Sequence, residues 1–184
     1  MQIKEKTRRE IEERLQHLGN YVQIDYLLSC LKQKLDFDTK KFVLLKLSKL
    51  YEDKKMYLES GKMMRAAAPI NTTFLSMVSD YVKAAELFVR AGNFDNADIA
   101  FEKATANANE KQRQEIKNKK IDLYKIQADY YLNIDKRHSA LLAYEKLLSL
   151  NLGESERGEV QSKLLDLYSK LGKIREYYAL KRAM

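Results

Sequence analysis

The sequence predicts an all-α protein built from about five antiparallel helical hairpins, and three observations carry that prediction. First, the chain of 184 residues is 45% hydrophobic and 33% charged, with only six Gly and one Pro. That balance suits packed helices with short connections and leaves little room for long loops. Second, apolar residues recur at i, i+3, i+4 and i+7 throughout, the spacing of one helix face. Third, breaks in that pattern return at Gly19, Lys55, Gly92, Asp135 and Gly172, separated by 36, 37, 43 and 37 residues. A single domain over residues 1–184 is expected.

The elements follow in order. Residues 2–18 form a charged helix with Ile3, Ile11, Leu15 and Leu18 on one stripe, broken at Gly19-Asn20. A second helix carries Tyr21, Ile24, Leu27, Leu28 and Leu31. Asp36 and Asp38 offer capping groups for a helix running to Glu52, with Phe42, Leu44, Leu47, Ser48 and Tyr51 facing inward. Tyr57, Ser60, Met64 and Ala67 mark its partner, which ends near Pro69. Asn71-Thr72-Thr73 has the form of a glycosylation acceptor but reads better as a helix start. Residues 80–105 are the clearest unit. Tyr81, Ala84, Ala85 and Phe88 precede Gly92-Asn93, and Phe94, Ala97, Phe101 and Ala104 follow it. Gly92 suits the left-handed residue that ends a helix, Asn93 the N-cap of the next, and the alanines suit a close crossing. After a polar break at 107–110, Tyr124, Ala128 and Tyr131 mark a long helix to about Leu132. Ala140, Tyr144 and Leu147 mark the next, Leu164, Leu165 and Tyr168 another, and Ile174, Tyr177 and Tyr178 the last.

The central unit resembles the tetratricopeptide (TPR) helix-turn-helix motif. The resemblance rests on Tyr81, Ala84-Ala85 and Phe88 in the first helix and on Phe94, Ala97, Phe101 and Ala104 in the second. The repeats are slightly longer than the usual 34 or so residues and are similar to those of soluble NSF-attachment proteins and related adaptors. The resemblance implies a right-handed α-solenoid whose first helices line a concave groove, and a protein partner held there as an extended peptide or helix. Carried over through the turns, the groove residues are Phe42, Leu45, Lys49, Val82, Glu86, Val89, Lys125 and Asp129. The paired Lys and Asn of chaperone-binding TPR proteins are absent.

Chemistry is harder to find. His17 and His138 stand alone, and no phosphate-binding glycine loop, HExxH helix or paired-cysteine site is present. No catalytic, cofactor or metal residues are expected. Cys30, the single cysteine, excludes an internal disulfide and fits a reducing compartment, with the cytoplasm as the default. No signal-peptide core opens the chain, and no apolar run approaches the roughly 20 residues that span a bilayer, so no membrane insertion is expected. The net charge of +8 keeps RNA or other nucleic acid in view as an alternative partner, with Lys117, Lys119, Lys120 and Lys125 on one long helix. The basic excess is shared between the two ends of the chain and interleaved with acids at helical spacing, as on a solvated face. At the C-terminus the apolar stripe is wider than one neighbour needs. Tyr177, Leu180 and Met184 are expected to meet a second copy of the chain or a partner, unless the rings lie flat on their own hairpin.

Overall fold

The computed structural model describes residues 3–184 and contains, among them, ten α-helices and no strand. They are α1 (Arg8–Gln16), α2 (Asn20–Cys30), α3 (Phe37–Asp53), α4 (Tyr57–Ala67), α5 (Phe74–Arg90), α6 (Phe94–Ala106), α7 (Glu110–Asn133), α8 (Arg137–Leu148), α9 (Glu154–Lys170) and α10 (Ile174–Ala183). The chain divides into two compact units, the first ending at Gln112 and the second covering Arg113–Met184.

Four of the five sequence breaks are one and the same turn. Lys55, Gly92, Asp135 and Gly172 have φ of 58°, 72°, 54° and 67°. In each turn the N–H of the next residue donates to a carbonyl five residues back: Met56 to Tyr51, Asn93 to Phe88, Lys136 to Tyr131 and Lys173 to Tyr168, all at 2.8–2.9 Å. A left-handed residue with this bond closes the orphan carbonyls of the first helix and reverses the chain into the second. The acceptor residue is aromatic and buried every time, so the ring packs where the chain turns. The break at Gly19 is different. Its φ is −67° and it serves as N-cap of α2, so the expected equivalence with Gly92 fails at the first hairpin. The first helix is also shorter than the expected 2–18: Thr7 caps it through a reciprocal bond with Glu10, and helix begins only at Arg8. Gln2 lies outside the described residues.

Within the first unit, Ile11 and Leu15 of α1, Tyr26, Leu27 and Cys30 of α2, and Phe42, Val43, Leu47 and Tyr51 of α3 share one core. Helices α3 to α6 pack in sequence, each on the next. Small residues set the crossings: Ser48 and Ser60 exchange hydroxyl-to-carbonyl bonds of 3.1 and 2.7 Å between α3 and α4. Ala85 and Ala97, at the same place in the next hairpin, are fully buried. Gly61 of α4 meets the Phe88 ring of α5, and a Cβ there would stand 2.9 Å from the ring. Pro69 lies in a 3-10 turn, Ala68–Ile70, after α4. Asn71 is buried, with its amide donating to Ala68 O and Asp80 and its oxygen accepting from Lys41. Thr73, not Asn71, caps α5. Asn71 therefore fastens the connection between helices, and its surroundings leave no access for a glycan.

In the second unit Tyr124 and Ala128 of α7, Ala140, Tyr144 and Leu147 of α8 and Leu164 and Leu167 of α9 are buried. Helix α9 packs on α8 and α10 on α9. No residue of α10 is fully buried.

Candidate functional site

The one-turn spacing of α3 places Lys46, Lys49, Leu50 and Asp53 along a face turned toward α1 and the start of α2. With Glu12, Leu15 and Gln16 of α1 and Gln23 of α2 they line an open cleft of about 540 Å³. Gln23 is fixed in place because its amide donates to Leu15 O (3.0 Å) and Leu18 O (2.8 Å), satisfying the end of α1. Glu12 faces Arg8 at 3.7 Å. Among the described residues Lys49 and Asp53 have no ion-pair partner. The cleft thus offers two cations outside any ion pair, Lys46 and Lys49, with one such carboxylate, amide groups and a leucine floor. Such a lining suits a polypeptide segment, with amides for its backbone and opposite charges for its side chains.

The remaining expected groove residues fare differently. Phe42 is buried in the first core, under the Arg8 guanidinium at 5.0 Å and near the Lys46 ammonium at 5.8 Å. Val89 is buried as well, and Leu45 and Val82 are half-buried. Phe42 and Val89 offer no exposed apolar anchor, because a first helix tucks these positions against its neighbours. Glu86 pairs with Lys83 at 3.5 Å. Lys83 also reaches Glu52 of α3 at 3.0 Å, and Arg90 reaches Glu52 at 3.3 Å and the Tyr57 hydroxyl at 3.0 Å. Lys125 and Asp129 belong to a second network. Lys125 meets Glu159 at 3.1 Å, while Lys163 meets Asp129 at 2.9 Å and Glu159 at 3.1 Å. The Tyr144 hydroxyl donates to Asp129. Burial would raise the Asp129 pKa, but the bonds from Tyr144 and Lys163 outweigh it and hold the carboxyl below its usual range. Lys163 is pushed above the usual ammonium range by Asp129 and Glu159 despite its own burial. Both networks join first helices of successive hairpins, α3 to α5 and α7 to α9.

Lys46, Lys83 and Lys163 are not among the expected groove residues, yet the sequence carries a signal for them. Each lies nine residues before a left-handed turn residue, so three first helices present a lysine at one register position. At the C-terminus Tyr177 and Leu180 are half-buried and Met184 is 63% exposed. The Tyr177 and Tyr178 rings meet edge to face at 5.4 Å. His17 and His138 are exposed and Cys30 is buried. Among the described residues no group of His, Cys, Asp and Glu is placed to hold a metal, and no helix is long and apolar enough to cross a membrane.

No family model and no curated protein matches this chain. Among solved structures it is similar to BtubC (BKLC) from P. vanneervenii, at 16% identity over 92% of this chain and 73% of that one, with a TM-score of 0.37.

Proposed function

We propose that the chain is a TPR-like adaptor, a non-enzymatic scaffold that holds a segment of a protein partner against its first helices. The observation that carries this reading is the fourfold recurrence of one turn, with the same left-handed residue and the same closing bond at Lys55, Gly92, Asp135 and Gly172. Repeated hairpins of this kind stack because each leaves an apolar face to be covered by the next. The ion pairs between α3 and α5, and between α7 and α9, fit first helices lying side by side. The cleft beside Lys49 is the partner site on this reading. A buried, unpaired Cys30 is compatible with work in a reducing compartment such as the cytoplasm.

The test is selection of displayed peptides on the full chain, followed by calorimetry. Selected peptides should bind Lys49→Glu and Asp53→Lys about tenfold more weakly than wild type, with unchanged melting temperatures, since both side chains are uncommitted. Binding should fall only mildly with salt. A parallel titration with single-stranded RNA decides against the adaptor if RNA binds at micromolar affinity in physiological salt, with a steep salt dependence, and no peptide is enriched.

A further inference from the structure

Two of the most exposed apolar side chains in the protein occupy one equivalent position. Phe37 is the first residue of α3 and is 80% exposed; Phe74 is the first residue of α5 and is 70% exposed. Each stands eighteen residues before its left-handed turn residue, Lys55 or Gly92. Leu75, beside Phe74, is 68% exposed. Side chains on a helix lean toward its N-terminus, so a first-turn residue projects off the end of the element. The two ends are neighbours. Lys41, one turn on from Phe37, donates to Asn71 at 2.6 Å, and Asn71 lies three residues before Phe74. Three apolar side chains therefore project from adjoining helix ends.

The charges around them are unbalanced. Asp36 is spent on capping α3 through the Thr39 N–H and hydroxyl, and Asp38 faces Arg8 at 3.9 Å. The first turn of α5 has no acid. Lys32, Lys34 and Lys40 are exposed and, among the described residues, in no ion pair. Lys40 shares the face of Phe37, one turn along. Helix N-termini add partial positive charge at the same end. Projecting apolar tips within free cationic charge complement an apolar layer faced with anions.

We infer that this end of the first unit docks peripherally on an anionic lipid surface, with Phe37, Phe74 and Leu75 entering the interface and Lys32, Lys34 and Lys40 meeting the headgroups. A bilayer fits better than a protein groove because a fluid layer receives separate tips from two elements without a matching recess. Apolar and basic contributions are both needed, as either alone gives marginal membrane binding. The cleft beside Lys49 takes no part, so this inference and the adaptor reading stand or fall separately.

Co-sedimentation of the full chain with vesicles tests it. Vesicles of phosphatidylcholine with about 30% phosphatidylserine should pull the protein down, and pure phosphatidylcholine vesicles should do so about tenfold less well. The double variant Phe37→Ser/Phe74→Ser should lose about tenfold in binding, and Lys34→Glu/Lys40→Glu a similar factor. All four positions are exposed, so melting temperatures should stay at the wild-type value. Equal binding to neutral and anionic vesicles, unaltered binding by the phenylalanine variant, or no sedimentation of wild type at all would each overturn the inference. The last result would leave a protein as the occupant of this surface.

Discussion

Tyr26 shows how one atom can be worth changing. Its ring is part of the first core, at 1% exposure, yet its hydroxyl finds no hydrogen-bond partner among the side-chain and backbone oxygens and nitrogens around it. Burial pushes its pKa far above the usual phenol value, and the Cys30 thiol nearby adds to that. The hydroxyl's one polar contact is with that thiol, a weak hydrogen-bond partner, so its burial is poorly compensated and costs about 1–3 kcal/mol, whereas the ring's packing survives its removal. Tyr26→Phe should therefore raise stability, by about 1 kcal/mol in urea denaturation; a loss of that size would mean that the hydroxyl has a partner in solution. Gly61 is the opposite case. Alanine normally improves a helix interior by about 0.5–1 kcal/mol. Here its methyl would meet the Phe88 ring at 2.9 Å, with the Arg65 guanidinium 5.2 Å from the ring centre. The ring is fully buried and has nowhere to retreat. Overpacking should win, so Gly61→Ala should be net destabilising by about 1–2 kcal/mol, read as a lower midpoint at unchanged denaturant slope.

At the scale of the helical hairpin, the turn and the crossing make separate predictions. Lysine and aspartate in left-handed backbone are strained by about 1 kcal/mol, aspartate less because its side chain bonds locally. The Asp135 carboxylate also accepts a bond from the Arg137 side chain at 2.8 Å, which glycine would lose. Lys55→Gly should thus stabilise by about 1 kcal/mol and Asp135→Gly by less, while Gly92→Ala should destabilise by about 1 kcal/mol. Melting curves in which Lys55→Gly gains nothing would contradict the strain. Ala85→Leu or Ala97→Leu, in the fully buried crossing, should each cost about 1–3 kcal/mol, and intact melting temperatures for both would mean that the crossing is looser than the burial implies. These features were the readable ones. The positions of Lys55, Gly92, Asp135 and Gly172 and the small residues around them follow from local chemistry, which a sequence displays directly. Gly19 misled because glycine serves an N-cap as readily as a left-handed turn, and only backbone geometry separates the two. Phe42 and Val89 misled for another reason. Helical spacing gives the direction in which a side chain points on its own helix, but not whether a neighbouring helix or an arginine from α1 covers it. The cleft was partly legible: Lys49 was on the predicted face, while Gln16, Gln23 and Asp53 came from how α1, α2 and α3 meet.

At the scale of the whole molecule, the ion pairs that join first helices, Lys83 and Arg90 to Glu52 and Lys125 and Lys163 to Glu159 and Asp129, carry a pH signature. Asp129 ionises at lower pH in the folded protein than in the unfolded chain. Its contribution is complete above the unfolded carboxylate range and is lost as pH falls through the depressed folded value. Lys163 has the reverse sense. Its raised value leaves its contribution complete below the unfolded ammonium range and lost as pH rises through the folded one. Asp129→Asn should flatten the acid limb of melting temperature against pH between about pH 5 and 3; an unchanged limb would assign that loss to other carboxylates. The bridges themselves run between residues 31 to 38 apart in sequence, and the turns close over five. Nearly every stabilising contact described is therefore reached by closing a short loop, at small entropic cost. Chains with such local wiring fold fast, in the microsecond-to-millisecond range, and need no distant segment to be present first. Each unit can consequently begin to fold on the ribosome as soon as its own hairpins have emerged.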